Sequence, residues 1–298
     1  MRPSSLKTRI FLDSGDPQET KTVMALLGFL DGQTTNPTLI AKHPDARERL
    51  ARGEKFTKEE IIEFYRKVVK EISSLILEQS GKTNLFIPAG SVSVEVYADK
   101  GTSKEEMTAQ GKEMFSWIPN AHIKYPTTRQ GLEAAGQSVS AGMRVNMTLC
   151  FTQEQAAAVY GATKGAAKGD VFVSPFVGRL DDRGVNGMDL ISNIIRMYNK
   201  GDGHVEVLAA SVRNAAHFMQ AIALGSDIIT APFGVLKEWA EKGMPLPGEN
   251  FSYEPENLSS IPYKDIDLGK DWRELDIAHE LTDKGIERFA SDWNELIS

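Results

Sequence analysis

The chain has 298 residues, 41% of them apolar and 25% charged, with 25 glycines and 13 prolines; this composition excludes disordered, fibrous and collagen-like classes, and the length allows a large core without disulfide or metal staples. A formal charge of -7 gives no general attraction for nucleic acid or anionic membrane, although a few arginines converging locally can still hold an anionic ligand. The single cysteine, Cys150, excludes an internal disulfide and any Cys-x-x-Cys site, which suits a reducing cytosol.

The opening MRPSSLKTRIFLDSGD lacks the apolar stretch of a signal peptide, and no run reaches the roughly 18 apolar residues of a membrane helix. A soluble, cytoplasmic protein is expected. In chain order, strand patterns fall at 9–14 (RIFLDS), 32–36 (GQTTN), 91–98 (SVSVEVYA), 122–126 (HIKYP), 144–151 (RVNMTLCF), 170–176 (DVFVSPF), 205–211 (VEVLAAS) and 227–232 (DIITAP). Each is followed by helical periodicity, over 17–29, 57–79, 103–115, 129–136, 153–165, 187–199, 214–224 and 233–242. Strict alternation of this kind implies parallel pairing, and eight units predict an α/β fold, a (β/α)8 TIM barrel over residues 1–242. An open doubly wound sheet fits less well, because no Gly-x-Gly-x-x-Gly follows the first strand. Residues 243–298 form a C-terminal extension: a Pro-, Asn- and Ser-rich loop over 243–263, then a helix with Thr282 as a candidate N-cap. Ile286, Phe289, Trp293, Leu296 and Ile297 form an apolar stripe that packs on the barrel or on another subunit.

Barrel chemistry sits at the C-terminal ends of strands, so polar residues inside these apolar runs are informative. They are Asp13, Asn36, Glu95, Lys124, Asn146, Thr148, Ser174 with Arg179 just beyond, and Ser211 with Arg213. Singly, each has a bland reading as a turn, a cap or a solvated ion pair. Jointly, seven consecutive strands delivering polar groups toward one end are costly to explain as structure alone. The residue types describe a chemistry. A partly desolvated lysine loses its proton more easily than the roughly 10.4 of free lysine and can attack a ketone to form an iminium. Carboxylates suit the proton transfers of carbon–carbon cleavage beside that electron sink, and two arginines can hold a phosphate.

Other signals are weaker. The five histidines lack metal-ligand spacing, and His122, two residues before Lys124, reads as a hydrogen-bonded strand residue. GATKGAAKGD (161–170) lacks the Gly-Lys-Ser/Thr ending of a phosphate loop and reads as a helix end with its exit turn.

The stretches DGQTTNPTLI, IKYPTT, RVNMTLCFT, SPFVGRLDD and AASVRN resemble the strand motifs of the transaldolase family, across about residues 9–240. The resemblance implies transfer of a dihydroxyacetone unit between sugar phosphates in the pentose phosphate pathway, with no metal or organic cofactor. It makes Lys124 the Schiff-base lysine and Asp13 the acid/base on the C4 hydroxyl. Glu95, with Thr148, would position the catalytic water. Asn36, Asn146 and Ser174 would hold hydroxyls of the three-carbon unit, and Arg179, Ser211 and Arg213 the phosphate. Glu95 and Phe176 match the transaldolase branch, where the fructose-6-phosphate aldolase branch has Gln and Tyr. The chain departs from long transaldolases in having eight residues before the first strand, and from short forms in its extension and in an expanded 41–60 loop. A homo-oligomer is expected, of open order. The alternatives are an aldolase releasing free dihydroxyacetone, a transaldolase for a related anionic sugar, and a sugar-phosphate-binding barrel without turnover.

Overall fold

Eight parallel strands close into a barrel in sequential order, β8 pairing back to β1, in the computed structural model, which describes residues 2–80, 90–255 and 257–298. They are β1 (Arg9–Asp13), β2 (Gly32–Thr34), β3 (Ser91–Glu95), β4 (Ala121–Pro126), β5 (Val145–Cys150), β6 (Val171–Pro175), β7 (Val205–Ala209) and β8 (Ile228–Ala231). Every residue of β2 through β8 is buried, as expected of strands covered by helices outside and side chains inside. The covering helices are α1 (Pro17–Leu27), α2 (Pro37–Ala41), α3 (Pro44–Ala51), α4 (Lys58–Ser80), α5 (Lys104–Phe115), α6 (Arg129–Ser140), α7 (Gln153–Ala162), α8 (Val177–Asp181), α9 (Gly187–Tyr198), α10 (Ala215–Ala223), α11 (Phe233–Glu241) and α12 (Glu280–Asn294). The predicted (β/α)8 barrel is therefore the fold.

Side-chain caps make the switch from strand to helix sharp. Asp16 caps α1 ahead of Pro17, Thr128 caps α6 directly after the lysine strand, Thr152 caps α7, and Ser103 with Glu106 forms a reciprocal capping box on α5. Differences from the sequence reading are local. Strands β2, β3 and β7 end earlier than their apolar runs, and α6 continues to Ser140. The 41–60 segment, expected as a loop, contains α3. The cap of α12 is His279, whose Nδ1 accepts from the Leu281 N–H; Thr282 instead donates its hydroxyl to the Leu149 carbonyl at 2.9 Å. That carbonyl is turned outward by the left-handed backbone of Leu149, φ 59°, within a register shift between β5 and β6. The 243–263 loop carries no helix or strand among its described residues; Glu256 lies outside them.

Polar and aromatic layers fill the barrel. At the N-terminal end Arg9 pairs with Glu206 at 2.5 Å, and His122 stacks on Phe172 with centroids 4.1 Å apart. In the middle, Ser93, Asn146 and Ser174 are hydrogen-bonded across the lumen, and Phe11 meets Phe172 edge-on. The C-terminal end holds the titratable groups.

Candidate active site

Register puts the amine in place: Glu95 pairs with Lys124 between β3 and β4, and Lys124 with Asn146 between β4 and β5. Residues level across neighbouring strands of a closed parallel barrel point the same way. Lys124 Nζ lies 2.8 Å from Glu95 Oε2 and donates to the Thr35 carbonyl at 3.0 Å. Both side chains of the pair are 4% exposed, so neither charge has water to screen it. Tyr65 braces the arrangement: its hydroxyl accepts from the Glu95 N–H at 2.9 Å and sits 2.6 Å from Thr35 Oγ1, and its ring packs on Trp293 of α12. Desolvation pushes the Glu95 carboxyl above its ordinary range, against the pull of Lys124. Burial also pushes Asp13 up, opposed first by Lys124 and then by the Thr34 hydroxyl, which donates to Oδ1 at 2.6 Å. One amine thus stands beside two carboxyls that burial drives toward their neutral forms.

A cavity of about 230 Å³ opens over this amine. Asp13, Asn36, Lys124, Thr148, Ser174, Phe176, Arg179, Ser211 and Arg213 all line it. Two predicted residues stand behind the wall. Glu95 reaches the cavity through Lys124, and Asn146 through Ser174, whose hydroxyl donates to Asn146 Oδ1 at 2.7 Å while the Asn146 amide donates to Ser93 Oγ at 3.1 Å. Asn36 has a double use: its Oδ1 caps α2 by accepting from the Leu39 N–H, and its amide NH₂ makes no hydrogen bond among the described residues. The fully buried Thr148 hydroxyl also has no partner among them. An unpaired buried hydroxyl is costly, and this one lines the same cavity as the Lys124 amine.

The far end of the cavity is cationic. Ser211 takes a left-handed backbone, φ 56°, and Gly178 admits it: a Cβ on Gly178 would lie 2.4 Å from Arg213 Cγ and 2.5 Å from the Ser211 carbonyl. Behind this loop His217 Nδ1 accepts from the Arg213 N–H at 3.4 Å, and Nε2 meets Asp181 at 2.7 Å. Arg213 keeps an exposed partner, Asp182, at 2.8 Å. Arg179 has no carboxylate at ion-pair distance among the described residues; its guanidinium lies 5.4 Å from each of the Phe176 and Phe289 rings. Burial lowers its pKa, and repulsion from Arg288 and then Arg213 adds to the effect. A desolvated guanidinium without a counter-charge is a place for an anion.

The cavity also draws in Thr34, Thr38, Lys42, Thr230, Arg288 and Phe289, none of which the sequence reading had assigned to the site, although Phe289 belonged to the apolar stripe of the last helix. Thr34 and Thr38 both lay inside DGQTTNPTLI, the available signal. His122 is hydrogen-bonded at both ring nitrogens, to Ser91 and the Gly169 carbonyl, away from this end. No cluster of three or more His, Cys, Asp or Glu able to hold a metal occurs among the described residues, and no described helix is long and apolar enough to cross a membrane.

The model of the "Transaldolase/Fructose-6-phosphate aldolase" family matches residues 10–298. A "Probable transaldolase" of Dehalococcoides mccartyi is 35% identical over 97% of this chain and 99% of its own length. Proteins with the same printed name from Caulobacter sp. strain K31 and Roseiflexus sp. strain RS-1 are 36% and 32% identical, each over 96% of both chains.

Proposed function

The chain belongs to the transaldolase/fructose-6-phosphate aldolase family, and we propose that within it this protein is a transaldolase. It moves a dihydroxyacetone unit from sedoheptulose 7-phosphate to glyceraldehyde 3-phosphate, giving erythrose 4-phosphate and fructose 6-phosphate, and the reverse. The observation that carries this reading is the buried Lys124 amine, 2.8 Å from Glu95, in a cavity shared with Asp13 and with the Arg179 and Arg213 guanidiniums.

The neutral Lys124 amine attacks the donor ketone; the carbinolamine loses water, leaving an iminium. Glu95 is placed to take the proton that Lys124 must shed, because its own burial favours the protonated carboxyl. Thr148, whose hydroxyl has no partner among the described residues, holds the leaving and returning water. Asp13 takes the proton of the C4 hydroxyl, the C3–C4 bond breaks, and its electron pair flows into the iminium to give an enamine. The aldehyde product departs. The enamine carbon then attacks the acceptor aldehyde, Asp13 returns a proton to the new hydroxyl oxygen, and hydrolysis frees Lys124. The electron sink is built from the substrate and the lysine, so no cofactor takes part. Asn36 and Ser174 bind hydroxyls of the three-carbon unit, with Asn146 holding Ser174, and Ser211 joins the two arginines on the phosphate.

Glu95 and Phe176 favour transfer over simple cleavage, since a phenyl ring at 176 brings no hydroxyl to activate water for early release. Turnover of fructose 6-phosphate measured with and without erythrose 4-phosphate tests this. Acceptor-dependent turnover is expected; release of free dihydroxyacetone at a comparable rate without acceptor would overturn the reading in favour of an aldolase.

A further inference from the structure

Helix α12 brings two side chains, Arg288 and Phe289, into the cavity wall. Positions 285, 288, 289 and 292 share one helical face, and each has a distinct contact. Gly285 lets the helix backbone close on Arg179: a Cβ there would stand 2.8 Å from Arg179 Nη1 and 2.6 Å from Leu149 Cδ2. Phe289, like Phe176, lies with its ring 5.4 Å from the Arg179 guanidinium. Asp292 accepts from the Thr38 hydroxyl, which ties the helix to α2. Arg288 is the residue without a settled place. Its only carboxylate among the described residues is Asp292, 3.8 Å from Nε and already engaged by Thr38, and its side chain is 61% exposed at the cavity mouth. Of the charges acting on Arg179, Arg288 contributes the largest repulsion, ahead of Arg213. Three guanidiniums gathered over one cavity repel each other unless an anion lies between them.

We propose that Arg288 is a substrate-contacting residue, the third guanidinium of the phosphate site, so that α12 is part of the active site rather than an appendage to the barrel. The proposal rests on the sugar-phosphate reading above and extends it to the C-terminal extension. In the free protein Arg288 is solvated; with a phosphate bound by Arg179 and Arg213, it swings onto the remaining oxygen. Phe289 and Gly285 are positioning residues that hold Arg179 in place.

The test uses inorganic phosphate as probe, with Arg288→Gln and Arg288→Lys beside the parent protein. Calorimetric titration should show phosphate binding weakened about tenfold in Arg288→Gln, the worth of one charged hydrogen bond, and partly recovered in Arg288→Lys. The KM for fructose 6-phosphate should rise in parallel. Borohydride trapping of unphosphorylated dihydroxyacetone on Lys124 should stay equal in all three proteins. Phosphate binding within twofold of the parent in Arg288→Gln would overturn the proposal, as would equal loss of phosphate and dihydroxyacetone binding, which marks a merely structural helix residue. Phosphate binding is read without turnover. A parent protein that binds phosphate through Arg288 but transfers no carbon therefore supports this site while sinking the transaldolase reading.

Discussion

At the N-terminal end of the barrel Arg9 meets Glu206 at 2.5 Å, Arg2 meets Asp31 at 2.5 Å, and His122 is hydrogen-bonded at both ring nitrogens, with burial holding its pKa down to about 3. At the C-terminal end, among the described residues, Arg179 has no carboxylate at ion-pair distance and the Thr148 hydroxyl has no partner, and Asp13 and Glu95 are pushed up by burial. Both ends hold charged and polar groups in one lumen, so burial alone does not separate structure from chemistry. Satisfaction does. A buried polar group with all its partners stabilises or specifies the fold, whereas one left short of partners stores a cost that a substrate repays.

The contrast can be broken most forcefully at Asp13. Asp13→Asn removes the proton acceptor and should lower kcat by about 10²- to 10⁴-fold. It should also raise Tm at neutral pH, by roughly 2–4 °C if the gain is about 1 kcal/mol. The sign follows from the raised pKa of Asp13: the neutral carboxyl suits the folded state, so stability is full below the unfolded carboxylate pKa and is lost as pH rises through the folded one. The advantage of Asn should therefore shrink as pH falls from the raised folded pKa toward the unfolded carboxylate pKa of about 3.9 and be gone below it, and calorimetry across pH checks it. An Asp13→Asn protein that melts lower than the parent at pH 7 would count against stored cost at this end.

At the opposite end the expected signs reverse. Glu206→Ala leaves the partly buried Arg9 without its carboxylate and should cost about 2–3 kcal/mol in denaturant unfolding, with kcat changed less than twofold below the transition. A large fall in kcat at unchanged stability would erase the distinction between the two ends. Arg213→Ala gives the smallest effect, weakening phosphorylated sugars by about 1.5–3 kcal/mol and leaving unphosphorylated dihydroxyacetone nearly untouched, as comparison of their binding constants will show.

Much of this was readable beforehand because strand register is a local matter. An apolar run interrupted by one polar residue near its end, such as HIKYP or RVNMTLCF, places that residue at the barrel mouth once the strands are counted. What stayed hidden needed three dimensions. The five-residue helices α2 and α8 are too short for periodicity, and Pro37 reads as a strand exit as readily as a helix start. Thr282 was a candidate N-cap ahead of the apolar stripe, but its hydroxyl is spent on the outward-turned Leu149 carbonyl. Arg288 lies outside the strand ends and outside the apolar stripe, so no sequence pattern singled it out, and only the docking of α12 brings it beside Arg179. Asn146 and Glu95 are pattern-wise like their cavity-lining neighbours, and only the packing shows that each acts through another side chain.

The central claim is that the unsatisfied end of the barrel works through one amine. Borohydride reduction in the presence of fructose 6-phosphate, followed by peptide mass spectrometry, tests it most directly. The account predicts a single reduced three-carbon adduct on Lys124, absent from Lys124→Ala. An adduct on a different lysine, or none while fructose 6-phosphate is being turned over, would contradict it.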